Sequence, residues 1–299
     1  MKSIHVVADT LPEAWEQSVI QTWQQGENFP TEYDKPEDPN SRDVSALIHT
    51  KHPFKEPRIH RAFPGGIEDL EKYTQEVIYG VHDHWIAPEE GKWEYTYHQR
   101  LRAYELPGHP PIDQISNVIE KLKKAGHTRR AQATTWQPWQ DMDVNDPACL
   151  QRLWFRVQDG KLNMNCHIRS NDAFKAAFMN IYAFTELQRD IAEQVGVEPG
   201  EYIHMADSFH IYGSYFNDFK GFLNTLEQRT WEERTFTTEF AQPFLLEGRV
   251  ELLNANLDNT EQDRSMRLRK KDQERIYKSL PDEYKAMVDE RVKAVVNNT

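Results

Sequence analysis

The sequence predicts an α+β fold, a single large domain in which one mixed β-sheet is covered by helices. Three observations carry this. Two β-rich runs in "LQRLWFRVQDGKLNMNCHIR" flank Asp159-Gly160, the pair preferred in a two-residue hairpin turn. Several other segments repeat apolar residues every three or four positions, the period of an amphipathic helix. Strands and helices follow one another without strict alternation, which suggests a mixed sheet in one domain. The 299 residues suffice for one large domain or two small ones, and neither an internal repeat nor a clear linker divides them.

Along the chain, "TLPEAWEQSVIQTWQQG" reads as a helix with Thr10 near its start and Gly26 after its end. The following "ENFPTEYDKPEDPNSRD" is a polar loop punctuated by prolines. "VSALIHTK" is a strand, and the spacing in "GGIEDLEKYTQEVIYG" predicts a helix from Ile67 to Tyr79. A further helix, "DQISNVIEKLKKAG", stops at Gly126, and "RRAQATTWQPW" begins as a short strand. After the hairpin, "NDAFKAAFMNIYAFTELQRDIAEQVG" is a helix closing at Gly196, opened by the Arg-Ser-Asn-Asp run. "EYIHMADSFHIYG" is strand and loop. The last forty residues read as charged helix broken at Pro281, either a solvated appendage or a contact with another chain, with solvation preferred.

Composition removes several function classes. Thirty-six basic against 48 acidic residues give a net charge of −12, which disfavours bulk nucleic-acid binding. Any anionic ligand must be held by a local arginine cluster against the overall field. No apolar run approaches the ~18–20 residues of a membrane span, and the N-terminus carries no secretory pattern. Two cysteines cannot form a disulfide framework and suggest a reducing compartment, the cytoplasm.

The chemistry concentrates around Cys149, just before the first hairpin strand. An isolated cysteine is most often a buried structural thiol, and Cys166, within the second strand, fits that description. Cys149 has a further possibility. If the strands pair about Asp159-Gly160, residues whose numbers sum to about 319 face each other. Cys149 then lies near Ser170, beside Arg169, a cation able to favour the thiolate. Arg169 and Ser170 also suit an oxyanion, since arginine binds phosphate bidentately and serine adds a donor. Arg129 and Arg130 point in opposite directions unless the chain bends, and a solvated strand end explains them equally well. Asp172 fits a helix cap. Asn180, mid-helix among aromatics, needs a dedicated partner, because a buried unsatisfied amide costs ~1–3 kcal/mol.

Together these residues resemble the thymidylate synthase superfamily. Its core pattern is a Pro-Cys nucleophile, a hairpin, Arg-Ser-x-Asp and a helix carrying Phe-Asn-Ile. Here these stand as "PAC", "DGKL", "RSND" and "FMNI". "RRAQATTW" is similar to the family's paired-arginine strand and "HIY" to its His-x-Tyr, with no gap from Arg129 to Tyr212. "YTYHQRLRAY" extends the likeness weakly, and residues before about 40 and after about 225 fall outside it. The resemblance implies a catalytic domain over 1–225, with its core match at 129–212, and a largely helical C-terminal extension over 226–299. It also implies a twisted sheet packed back to back with its copy in a homodimer.

The roles it implies are specific. Cys149 would add to C6 of a pyrimidine nucleoside monophosphate. Arg169, Ser170 and Arg42 would hold the 5′-phosphate, with Arg129 and Arg130 reaching the phosphate of the neighbouring subunit. Asp172 would contact the pterin of 5,10-methylenetetrahydrofolate, the co-substrate, and no metal is implied. His210 and Tyr212 would bind the sugar 3′-hydroxyl. Glu76 would be the general acid/base, and Tyr97 would help remove the C5 proton. Thiolate addition makes C5 nucleophilic toward the folate one-carbon unit, after which hydride gives methyl and water gives hydroxymethyl. Asn180 complements the N3–H donor and O4 acceptor of uracil, whereas cytidylate hydroxymethylases of the family carry aspartate there.

Three departures shape the expected product. Leu150 follows the nucleophile where synthases carry histidine, "KAAF" replaces Leu-Gly-x-Pro, and a charged helical extension stands where synthases have a short apolar tail. That tail helps exclude water, so the expectation is hydroxymethylation of dUMP. Reductive methylation to dTMP and CMP or dCMP hydroxymethylation are the alternatives, and an inactive nucleotide-binding paralogue is the reading from another class. Cys149, the arginines, Asn180 and His-x-Tyr all being present argues against inactivity.

Overall fold

The computed structural model describes residues 1–255 and 269–297. Its elements run β1 (Ser3–Ala8), α1 (Leu11–Gln25), β2 (Glu27–Phe29), β3 (Ser41–Thr50), β4 (Ile59–His60), α2 (Ile67–Tyr79), α3 (Tyr97–Arg102), β5 (Tyr104–Leu106), β6 (His109–Ile112), α4 (Gln114–Lys124), β7 (Gln132–Thr134) and α5 (Pro138–Asp141). They continue with β8 (Leu150–Gln158), β9 (Lys161–Asp172), α6 (Ala177–Val195), β10 (Glu198–Ile211), α7 (Phe216–Gln228), α8 (Trp231–Arg234), β11 (Thr235–Phe236), α9 (Thr238–Ala255), α10 (Lys270–Ser279) and α11 (Asp282–Asn297).

Seven strands form one mixed sheet in the order β1-β3-β10-β9-β8-β7, with β2 on β3. β1 runs parallel to β3 and β9 parallel to β10, while the other pairs are antiparallel. The α+β prediction with a mixed sheet therefore holds. The hairpin turns where predicted: Asp159 and Gly160 both have positive φ, 50° and 75°, as a two-residue turn of this hand requires. Its register follows the predicted sum of 319 from Gln158↔Lys161 to Arg152↔His167, then slips by one at Leu150↔Ile168 through a bulge.

Strand alternation buries one face of the sheet beneath α1 and α6. Trp15 of α1 is fully buried, donates from Nε1 to the Ala173 carbonyl at 2.9 Å, and meets Phe178 of α6 edge-on. The opposite face leaves Val7, Leu47 and Met205 more than a third exposed. α1 is capped by Thr10 and ends at Gly26 as predicted, because the Thr10 hydroxyl accepts from the Glu13 amide.

Four expectations need correction. β1 was not anticipated; its alternating burial is that of an ordinary half-buried strand. The loop after α1 contains β2 and the first residues of β3. Arg169 to Asp172 do not open a helix but end β9, and α6 begins only at Ala177. The C-terminal helices are more than a solvated appendage. They break at Pro281 as expected, but Ile276, Leu280 and Val288 bury against Val81, Leu246 and Val250 in a second apolar cluster. Arg275 of α10 is ion-paired with Asp190 of α6. Residues 260–268 and 298–299 of that predicted helix lie outside the described residues. Among the described residues no helix is long and apolar enough to cross a membrane.

Candidate active site

The topology brings chemistry to one edge of the sheet. β9 and β10 are parallel, so Ser170 pairs with Ser208 and Asp172 with His210 at their C-terminal ends. β8 runs the other way, so its start, with Cys149 just before it, lies at the same edge. The Arg169 amide donates to the Cys149 carbonyl at 2.9 Å, which fixes the two residues side by side. A bulge between Ala206 and Phe209 shifts the phase of β10. Phe209, His210 and Ile211 are then all buried in succession.

Two helices complete the walls. α6 contributes Asn180, only 8% exposed, and α2 contributes Tyr73, whose hydroxyl donates to Asn180 Oδ1 at 2.7 Å. α3 is held by a buried bidentate pair from Arg100 to Asp141 at 2.8 and 3.1 Å. This fixes Tyr97, whose hydroxyl accepts from the Leu150 amide at 3.3 Å, while Tyr95 accepts from the Cys149 amide at 3.4 Å.

A cavity of about 380 Å³ is lined by Cys149, Tyr97, Asp172, Asn180, His210 and Tyr212, among others. It shares Cys149, Ser170 and Tyr212 with a cleft of about 760 Å³ that also takes in Arg169 and Tyr33. Glu76 lines an adjoining pocket of about 460 Å³ that shares Tyr73 and Tyr97 with the Cys149 cavity, and its carboxylate meets His82 Nδ1 at 2.8 Å. Nine of the predicted residues, Cys149, Glu76, Tyr97, Arg169, Ser170, Asp172, Asn180, His210 and Tyr212, are thus grouped in one continuous region.

Arg42, Arg129 and Arg130 stand outside these walls. Arg42 is engaged on β3, donating to the Gly26 carbonyl at 2.9 Å and lying over the Trp23 ring. Arg129 and Arg130 are exposed on the approach to β7, at the sheet edge. Leu150 is fully buried in the core and is not part of the cavity wall.

Electrostatics distinguish the two cysteines. Burial pushes the Cys166 thiol up to about 12. Burial also raises Cys149, but Arg169 opposes the rise, with Asp146 adding to it and the Tyr95 hydroxyl reducing it. Tyr73 and Tyr97 are raised far above the ordinary phenol value, chiefly by burial, so both remain hydrogen-bond donors at neutral pH. Asp172 accepts the amides of Phe174 and Lys175, both on Oδ1, and burial raises its carboxyl. It does cap a turn, but the turn before α6 rather than the helix itself.

Sequence reading missed Tyr73, Tyr95 and Asn171. Tyr73 lies one helical turn before Glu76, a spacing that places both on one face of α2. Asn171, 3% exposed, lines the cavity and accepts on Oδ1 from His204 Nε2 at 2.9 Å. Burial lowers His204 to about 3, so it is neutral, and its Nδ1 faces the Tyr202 hydroxyl at 2.9 Å. Among the described residues no group of three or more His, Cys, Asp or Glu is placed to hold a metal ion.

Comparison with known proteins adds an independent line. The family model described as Thymidylate synthase matches residues 63–285, beyond the residue near 225 where the motif likeness stops. A Methanocaldococcus jannaschii protein named "Putative thymidylate synthase" is 35% identical over 173 residues, 56% of this chain and 73% of the relative. A Methanosarcina barkeri protein of the same name is 34% identical over 169 residues, covering 56% and 72%. The thermostable thymidylate synthase A of Bacillus subtilis superposes with a TM-score of 0.57 at 21% identity, over 71% of this chain and 83% of that one, a likeness of fold.

Proposed function

Since the chain belongs to the thymidylate synthase family, we propose that it transfers a one-carbon unit from 5,10-methylenetetrahydrofolate to C5 of dUMP, through a transient bond between Cys149 and C6. The observation that carries this is that Cys149 and Asn180 line one cavity, with the Asn180 amide held by Tyr73. A thiol alone names no substrate. A buried carboxamide opposite it selects a ring with an adjacent N–H donor and carbonyl acceptor, which uracil supplies.

The residues divide the work as follows. The Arg169 charge favours the thiolate as Cys149 attacks. Asn180 accepts from N3–H and donates to O4, and so stabilises the charge that thiolate addition sends to O4. Tyr97 assists removal of the C5 proton, and Glu76, one pocket away across Tyr73 and Tyr97, serves as acid/base. His210 and Tyr212 take the sugar, and Arg169 and Ser170 the phosphate. Asp172 fits the pterin: it is in the cavity wall, and its second carboxyl oxygen makes no hydrogen bond among the described residues. The folate supplies the one-carbon unit and, for methylation, a hydride.

The phosphate region has one arginine in its wall, Arg169, and acids Glu32, Asp34 and Asp146 beside it. A dianion needs more cationic charge than this. That supports a homodimer in which Arg129 and Arg130 of one subunit complete the other's site and Val7, Leu47 and Met205 are covered. Mixing an Arg129/Arg130 double mutant with Cys149→Ser should restore activity through one intact site per heterodimer; a monomer in sedimentation would rule this out.

The product proposed is 5-hydroxymethyl-dUMP. Its support is that, among the described residues, those walling the Cys149 cavity and cleft fall between Glu32 and Tyr215. The described C-terminal helices pack instead on α9 and on one another. Leu150 no longer contributes, since it lies in the core. Mass analysis after incubation with dUMP and methylenetetrahydrofolate decides. Hydroxymethyl-dUMP with tetrahydrofolate supports the proposal, and dTMP with stoichiometric dihydrofolate makes the protein a synthase. Failure of 5-fluoro-dUMP and the folate to form a covalent adduct at Cys149 sinks the one-carbon reading altogether.

A further inference from the structure

We propose that Asp43, acting through Ser208, sets the position of the proton on His210, and is thereby a positioning residue for the hydroxyl-bearing sugar of the substrate. This rests on the reading of His210 as a sugar-binding residue. Asp43 lies on β3 directly across from His210 in the antiparallel pair with β10. Ser208, two residues before His210, donates from Oγ to Asp43 Oδ2 at 2.7 Å. A carboxylate only accepts, so the single hydroxyl hydrogen of Ser208 is committed to Asp43. What Ser208 offers His210 Nδ1, 3.1 Å away, is therefore a lone pair. That contact is a hydrogen bond only if Nδ1 carries the proton.

The consequence appears on the other ring nitrogen. With the proton on Nδ1, Nε2 is a bare acceptor. His210 is 5% exposed, lines the cavity that holds Cys149, and its Nε2 is buried with no hydrogen-bond partner among the described residues. Burial lowers the His210 pKa against the opposing charges of Asp172 and Asp43, so a second proton is disfavoured. The Tyr212 ring packs edge-on at 4.6 Å and supplies no charge. The cavity thus presents an acceptor that a sugar hydroxyl donor satisfies and that a sugar lacking that donor leaves unpaired. Without the carboxylate, Ser208 is free to turn its hydrogen toward Nδ1. The ring proton then moves to Nε2, and the cavity presents a donor instead.

The test is nitrogen NMR of the full chain with labelled histidine, free of nucleotide. The proposal expects His210 to show a protonated Nδ1 and a bare Nε2, and expects Asp43→Asn and Ser208→Ala to move population toward protonated Nε2. A wild-type ring protonated at Nε2, or variants that leave the proton where it was, would overturn it. Binding gives the second readout. Wild type should prefer dUMP to its 3′-fluoro analogue, which can accept but not donate, by about tenfold or more, the worth of one buried hydrogen bond, and Asp43→Asn should shrink that preference several-fold through KM rather than kcat. An undiminished preference in folded Asp43→Asn also overturns it. If 5-fluoro-dUMP never adds to Cys149, the functional reading fails while the ring-proton result still judges the role of Asp43.

Discussion

Replacing Tyr73 by phenylalanine removes one oxygen from the cavity wall and nothing else. That oxygen donates to Asn180 Oδ1 at 2.7 Å, and both groups are sheltered from water. A carboxamide is nearly symmetric in shape, so its orientation depends on what its ends bond. Tyr73 determines which end is the oxygen. A neutral buried bond of this kind is worth about 0.5–1.5 kcal/mol net, at the upper end when its loss leaves a buried acceptor unpaired. At 1.4 kcal/mol per factor of ten, loss of the phenol should reduce the preference for dUMP over dCMP about five- to twelvefold. The effect should appear mainly as weaker dUMP binding with slightly better dCMP binding, since a turned amide suits cytosine. Titration calorimetry of both nucleotides against wild type and Tyr73→Phe measures it. Thermal melts would show that the fold is retained. An unchanged ratio in a folded variant would refute the idea that Tyr73 orients Asn180.

Iodoacetamide should alkylate Cys149 and spare Cys166 in the native protein, at a rate that climbs through alkaline pH because burial raises the Cys149 thiol as well; modification of Cys166 first would contradict the burial difference. His204 is neutral in the fold down to about 3, whereas the unfolded chain takes up that proton near 6.5. Stability should therefore fall as pH drops through this window, by up to ~1.4 kcal/mol per pH unit from this group, and urea melts of His204→Gln should show a shallower acid slope; an identical slope counts against it. Leu280→Ala, in the cluster that docks the C-terminal helices, should cost ~2–5 kcal/mol in denaturant melts if that cluster unfolds with the domain. A loss below about 1 kcal/mol, close to that of a surface substitution, would mean the helices melt separately.

Local chemistry made much of this legible. The Asp-Gly turn fixed the hairpin, and simple subtraction then put Arg169 beside Cys149, off by the one residue of a bulge that no turn signal announces. Thr10 and Gly26 marked the ends of α1 because capping is decided within a few residues. Errors came where a local signal has two meanings. Asn171-Asp172 looks like a helix start, yet Asp172 caps an intervening turn and Asn171 turns inward to His204. What could not be read was decided at long range. Tyr73 acquires its role from a partner 107 residues away, and Arg42 is held by Gly26 and Trp23, which nothing in the motif foretold. The apolar residues of α10 and α11 are sparse enough to pass for a solvated helix until Leu246 and Val250 are set against them.

The slip in β10 gives that strand two parities. Before it, even-numbered residues such as Tyr202 and His204 face the core; after it, the odd-numbered Phe209 and Ile211 do, with His210 left at the cavity. Side-chain identity at Asp207 and Ser208 is thus a separate matter from their count. Exchanging residues there alters chemistry locally. Deleting one would restore uninterrupted alternation and leave Phe209 toward the core and His210 at the cavity, whereas adding one beyond the bulge would send His210 to the other side of the sheet and bring an apolar neighbour toward the ligand. The segment is therefore more tolerant of spelling changes than of an added residue, and divergence of specificity at His210 proceeds by substitution within that frame.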